Sequence, residues 1–227
     1  KVIVGGLVLY GVVVLVSLLV LAAVARFGPA PRPTVSENSF TALIGQAQAD
    51  RAASGLLVPS WAPTLGAAEA DARVTIVEFA DFQCPYCRAA ALPLRAVISA
   101  YPNDVRLVFR QFPVASLHPM AERLAEGSMC AHDQNKFWAF HDRVYLGADQ
   151  EFDDKEITEI AQSIGLNMER YNRCVISGQF KDAVKQDFAD AVAAGSRGTP
   201  TWLVNGQKVE GYLSEATWRS VIEALLK

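Results

Sequence analysis

Val74–Cys87 reads VTIVEFADFQCPYC, and its two halves call for different backbones. Val74–Ala80 (VTIVEFA) is a nearly continuous apolar run rich in β-branched residues, the pattern of a central strand buried on both faces. Cys84-Pro85-Tyr86-Cys87 follows, and beyond it Ala90, Leu94, Val97, Ile98 and Tyr101 fall on one helical face, with Pro93 expected to kink that helix. The CxxC therefore sits at a strand-to-helix junction. Its first cysteine lies at or near the helix N-cap, and proline suits the first helical position. Exposed backbone N–H groups and the helix dipole stabilise a thiolate at Cys84; such sites depress a cysteine pKa from about 8.5 to roughly 3.5–7.5. Cys87 lies one turn on, close enough to close or resolve a disulfide. The competing use of a CxxC is half of a zinc site, which needs four ligands, often from a second CxxC or paired histidines. No second CxxC exists, and His118, His132 and His141 do not fall at H-x₃₋₅-H spacing. A soft-metal site would gain from nearby Met or His, but the nearest Met is Met120 and no His lies within ten residues of Cys84. Redox chemistry is favoured over both metal readings.

Two further positions belong with the CxxC. Glu78 falls inside the apolar run, where a carboxylate is costly to bury. A buried acid with a raised pKa beneath the CxxC could relay a proton to or from Cys87; the plainer alternative is a strand-end side chain that reaches solvent. Thr199-Pro200 opens an apolar segment. Proline there is a strand-start signal, and composition alone does not make the bond cis, since only about 5–6% of X–Pro bonds are.

Around these, Val105–Arg110 reads as a second strand, and the region from about Pro119 to Ala194 reads as helical. Asp153 and Glu156 form a capping box, Ile157, Ile160, Ala161 and Ile164 an apolar stripe, and Gly165 a stop. Tyr171, Cys174 and Val175 share a face of the next helix, and Phe137, Trp138 and Phe140 are expected to pack the helical region. Trp202–Val204 and Lys208–Glu210 flank Asn205-Gly206, the strongest short hairpin signal. A last helix opens near Ser214 and buries Trp218, Val221, Ile222, Leu225 and Leu226. The order is that of an α/β domain with a helical insertion between its halves.

The N-terminus is of another kind. Val2–Ala25 carries no charge, and about 20 apolar residues in a helix cross a bilayer's hydrocarbon core, so residues 2–25 are read as an anchor. A cleaved signal peptide is the alternative, since Ala23-Val24-Ala25 looks like a cleavage site, although the run exceeds the usual h-region of roughly 7–15 residues. Lys1 before the run against Arg26 and Arg32 after it mildly opposes an external C-terminal domain. The chain opens on Lys1 rather than Met, so residues are expected upstream and that count weighs little. Pro29, Pro31 and Pro33 read as a semi-rigid linker over residues 26 to about 38, residues 39 to 54 as a helix ending at Gly55, and Pro59 and Pro63 as irregular or edge structure. The expected organisation is an anchor at 1–25, a linker and extension at 26–64, and a catalytic domain at 65–227 with its insertion at about 116–195.

Bulk properties agree. The 227 residues are 51% apolar, and 21 basic against 24 acidic residues give a net charge of -3, no electrostatic reason to expect nucleic acid.

Val74–Cys87, Gln134-Asn135-Lys136-Phe137-Trp138 and Gly198-Thr199-Pro200-Thr201 together resemble the DsbA-like family of thioredoxin-fold oxidoreductases, over about residues 65 to 227. The resemblance implies a thioredoxin fold with an inserted helical domain. It implies a cis Pro200 beside the active site, substrate contact through the Thr199 backbone, Glu78 as the family's buried acid, and no cofactor. Cys130 and Cys174 resemble a second, structural disulfide of some members; the bland alternative is two packed thiols. Pro85-Tyr86 departs from the Pro-His of the best-studied oxidases, which leaves the redox poise open. The activity implied is disulfide formation in exported polypeptides, with a membrane redox partner that reoxidises Cys84–Cys87 and an extracytoplasmic domain. The alternatives are a reductase or isomerase of the same fold, or a tethered metal- or thiol-protein-binding chaperone.

Overall fold

The computed structural model describes residues 58–147 and 152–227. The anchor at 2–25, the linker, and the helix read at 39–54 lie outside the described residues. Among the described residues no helix is long and apolar enough to cross a membrane.

VTIVEFA forms strand β2 (Val74–Ala80), buried at every position but the half-buried Thr75. It lies at the centre of a five-stranded sheet, where burial on both faces puts it. It pairs in parallel with β3 (Val105–Gln111) and antiparallel with β4 (Thr201–Val204), which turns into β5 (Gln207–Glu210). A short edge strand β1 (Thr64–Gly66) closes the far side against β3. The β4–β5 turn is made as its sequence dictates: Asn205 and Gly206 take φ of +48° and +88°, the left-handed pair that a two-residue hairpin requires. Asn205 Oδ1 also accepts from Thr75 N at 2.8 Å, fastening the turn to the central strand.

Helix α1 (Pro85–Ala100) runs on from the CxxC through Pro93 without ending, where the sequence predicts a kink. Pro93 deprives the Ala89 carbonyl of its partner, and Ala89 is exposed, so water is at hand for it. Ala90, Leu94, Val97 and Ile98 pack on Val74 and Ile76, together with Trp202 and with Trp218 from the C-terminal helix (Glu215–Leu225). The opposite sheet face, through Val77, Phe79 and Val108, packs Ala191 of the helix Lys181–Ala193. There Arg110, fully buried, donates to Asp187 at 2.6 Å and Asp190 at 2.5 Å and lies over the Phe79 ring. A buried guanidinium is tolerable because its charge and its donors are matched together.

The insertion carries α2 (Ala121–His132), α3 (Phe137–Leu146), α4 (Asp154–Ser163) and α5 (Met168–Ser177). The helix Lys181–Ala193 is α6 and Glu215–Leu225 is α7. Asp153 and Glu156 make both bonds of the capping box on α4. Cys130 and Cys174 are joined as a disulfide between α2 and α5, with Cα atoms 5.8 Å apart. Phe137, Phe140, Val144 and Tyr145 fill the insertion's core, and that core is continuous with Ala80, Phe82, Cys84 and Cys87.

Candidate active site

The site lies where β2 ends and α1 begins. Cys84 is the N-cap of α1, with extended backbone (φ -71°, ψ 122°) and Pro85 at the start of the helix. This places its sulfur over the free N–H groups of the first turn. The sulfur lies 3.3 Å from the Thr199 carbonyl, which accepts from the thiol. The Thr199–Pro200 bond is cis, and Pro200 O accepts from Gly211 N at 2.9 Å, which fastens this loop to the segment after β5.

Electrostatics separate the two free thiols. A hydrogen bond from the Cys87 thiol does most to bring Cys84 down, to a pKa of about 6; the Thr199 side chain and the Cys87 and Tyr86 N–H groups add to this, and burial opposes it. Most of Cys84 is then thiolate at pH 7. Cys87 moves the other way. Burial first, then the bond and charge of Cys84, push it well above its ordinary value.

Glu78 sits between Phe109 of β3 and Trp202 of β4 in register, on the sheet face that α1 covers. It is 2% exposed, so the strand-end alternative does not hold. Burial pushes its carboxyl from the ordinary 4.5 up to about 8, and Oε1 has no hydrogen-bond partner. Its charge is one of the groups that raise Cys87, so the two are electrostatically linked. Cys84, Cys87, Glu78, Thr199 and Pro200 thus all belong to one region of the fold. Cys130 and Cys174 lie in the insertion, in their own disulfide.

Two more residues shape the site and are hardly legible in the sequence. Asp81 accepts hydrogen bonds at both carboxylate oxygens and at its carbonyl; an Asp opening a turn is its one signal. Tyr145 of α3 donates its hydroxyl to the Asp81 carbonyl at 3.1 Å, a contact that no local pattern announces. Arg88 reaches back from α1 to the Tyr145 carbonyl at 3.0 Å and to the Gly147 carbonyl, satisfying the end of α3. Among the described residues no group of three or more His, Cys, Asp or Glu side chains is placed to hold a metal ion.

Residues 63–224 match the family model described as Thioredoxin. The chain belongs to the thioredoxin family. Its fold is that of DsbA-like thiol-disulfide oxidoreductases. A thioredoxin-like oxidoreductase from Silicibacter pomeroyi DSS-3 is 29% identical and superposes with a TM-score of 0.67 over 75% of this chain and 95% of that one. The thiol-disulfide exchange protein α-DsbA2 of Wolbachia pipientis, 20% identical, shares the fold with a TM-score of 0.66 over 82% of this chain and 96% of its own. Among curated proteins, the Na(+)/H(+) antiporter NhaA 3 of Salinispora tropica is 34% identical over 155 residues, 68% of this thioredoxin-family chain and 24% of the antiporter. The chain spans about a quarter of the length of the curated relatives it matches.

Proposed function

We propose that the chain exchanges disulfides with exported polypeptides, as an oxidase of their thiols, through Cys84 and Cys87. The observation that carries this reading is the opposed pull on the two sulfurs. A stabilised Cys84 thiolate makes Cys84 the better leaving group and favours the reduced form of the pair, which makes its disulfide an oxidant. A client thiolate attacks the Cys84 sulfur of the closed pair, forming a mixed disulfide and releasing Cys87 as thiolate. A second client thiolate then attacks the client sulfur of the mixed disulfide, closing the client's disulfide and expelling Cys84. The client loses two electrons and the Cys84–Cys87 pair gains them.

The side chains around this step have roles in the proposal. Glu78, protonated near neutral pH, gives a proton to the departing Cys87 thiolate and takes it back when the pair is reoxidised. The Thr199 carbonyl, beside Cys84, holds an extended client backbone. Tyr86, Leu117 and Tyr212 are exposed. Each is tied to the Cys84 turn: Tyr86 within the CxxC, Leu117 beside His118, which bonds Asp81, and Tyr212 beside Gly211, which bonds Pro200. Exposed apolar side chains on these segments suit unfolded polypeptide as client. A membrane redox partner reoxidises the pair. The anchor at residues 2–25 holds the domain on the outer side of the membrane, where tethering raises its effective concentration at that partner.

The test is trapping. Cys87→Ser in the full chain should accumulate mixed disulfides with exported proteins through Cys84, seen as reducible adducts. Equal trapping by Cys87 in a Cys84→Ser variant would overturn the assignment. Protease added to spheroplasts should digest the domain of a membrane-sedimenting protein; protection until the membrane is broken would refute the outward orientation.

A further inference from the structure

The turn that presents Cys84 is built around a buried carboxylate. Asp81 is 1% exposed, and a carboxylate is costly to bury unless hydrogen bonds take up its charge. Three donors do so. Gln83 N reaches Oδ1 at 2.8 Å, while Val114 N at 2.7 Å and His118 Nδ1 at 2.8 Å reach Oδ2. The backbone carbonyl of Asp81 accepts twice more, from Cys84 N at 3.1 Å and from the Tyr145 hydroxyl at 3.1 Å. One residue therefore holds the turn before Cys84, the loop 112–120, and the end of α3 in the insertion. Gln83 doubles the tie, because its Oε1 accepts from Met120 N at 2.6 Å.

We propose that Asp81 is the positioning residue for Cys84: its side chain locks the residue 81–84 turn and the loop 112–120 together, so that Cys84 is held as the N-cap of α1 facing the donors of the first turn. This rests on the reading of Cys84 as the exchanging sulfur, and extends it to the residue that sets how that sulfur is held. The bond from Gln83 N to Asp81 Oδ1 is an Asx-turn, which fixes the backbone two residues on. Without it the turn keeps the bond from Cys84 N to the Asp81 carbonyl but loses the one that fixes the backbone at Gln83. The Tyr86 and Cys87 N–H groups then lose their alignment on the sulfur.

Asp81 could act on Cys84 in two ways of opposite sign. As a bare negative charge it would oppose ionisation of a nearby thiol, and removing it would help the thiolate. As the anchor of the turn it favours the thiolate, and removing it would harm it. Glu78, Cys87, His118, His141 and Tyr145, with Tyr86 and Arg88 of α1, are the other titratable or charged groups on elements packed against the turn, and they stay in place in the variants below.

The test follows Cys84 ionisation by ultraviolet thiolate absorbance and alkylation rate in the reduced full chain. Asp81→Ala removes both carboxylate oxygens, so the Gln83 and Val114 N–H groups both lose their acceptor. The midpoint of Cys84 should rise by about one pH unit, a roughly tenfold loss of thiolate at acid pH. Asp81→Ser can still take the Gln83 N–H in an ST-turn but is too short for Val114 and His118. It should recover most of that shift while the Val114 amide exchanges with solvent at least about tenfold faster. A folded Asp81→Ala variant whose Cys84 midpoint is unchanged or lowered would overturn the proposal. Should Asp81→Ala not fold, Asp81→Ser decides: an unaltered Val114 exchange rate refutes it. Failure of the wild type to exchange disulfides at all would instead sink the proposed function and leave this titration readable.

Discussion

Cys84 and Cys87 occupy one turn of one helix and are free thiols, whereas Cys130 and Cys174, 44 residues apart, join α2 to α5 as a disulfide. Burial does not separate the pairs: Cys84 and Cys87 are 5% and 0% exposed, Cys130 and Cys174 1% and 3%. Position along the helix does. Cys84 caps the N-terminus of α1, where N–H groups converge on it, while Cys130 and Cys174 lie in the last turns of α2 and α5, where carbonyls and the negative end of the dipole disfavour a thiolate. In the proposed reading the first pair opens and closes and the second stays closed. At Cys84 the donors gathered at the helix start outweigh burial, which opposes its ionisation.

Reversing the roles of the pairs is the sharpest way to break this contrast. Cys84→Ser should reduce exchange with a model dithiol substrate by roughly 10³-fold or more, since it removes the nucleophile. Changing Cys130 and Cys174 together to Ala should leave turnover within about twofold and lower stability to denaturant by about 4 kcal/mol in the chain-entropy description, as a lower midpoint in urea. If the double variant exchanged as poorly as Cys84→Ser, the second pair would be no mere staple.

Glu78 gives an effect legible in pH. The folded protein holds the Glu78 proton up to about pH 8, while the unfolded chain loses it near 4.5, so the native state binds more protons in between. Stability contributed by the neutral acid is therefore complete below pH 4.5 and is lost as pH rises toward 8, by up to about 5 kcal/mol. Cys84 pulls the other way in the reduced protein: its folded pKa of about 6 lies below the ordinary 9.0, so it adds stability as pH rises from about 6 to 9. Glu78→Gln, which does not titrate, should gain stability relative to the wild type from pH 4.5 to 8 in thermal melts of the oxidised form, where Cys84 is silent. Equal slopes for the two proteins would mean Glu78 is ionised throughout. The least effect belongs to Asp153→Ala, which removes the α4 cap far from the CxxC. It should lower stability by about 1 kcal/mol and leave the Cys84 titration unmoved.

Local signals carry most of this fold. The apolar run at Val74–Ala80, the Asn205-Gly206 turn and the Asp153–Glu156 box each specify their own backbone within a few residues, and each forms as read. The CxxC places Cys84 as an N-cap for the same reason, because an N-cap is a local event. Asp81, His118 and Tyr145 are different. Their contacts span 33 to 64 residues of sequence, through a loop and a helix whose placement depends on the whole insertion. Edge strand β1 also escapes a periodicity reading, being three residues long and held by β3. Gly66 marks it only in retrospect: with φ +86°, a Cβ there would stand 2.2 Å from the Val105 carbonyl.

The reduction potential of the Cys84–Cys87 pair in the full chain, measured by equilibration with glutathione, tests the central claim most directly. Thioredoxin itself combines a cysteine pKa of about 7 with a potential near −270 mV, and each unit by which the attacking thiol's pKa falls is worth about 30 mV toward oxidation. With Cys84 near 6, the pair should lie about 20–30 mV to the oxidising side of thioredoxin, consistent with taking electrons from client thiols. A value at or below about −270 mV would contradict the account and make the chain a reductant.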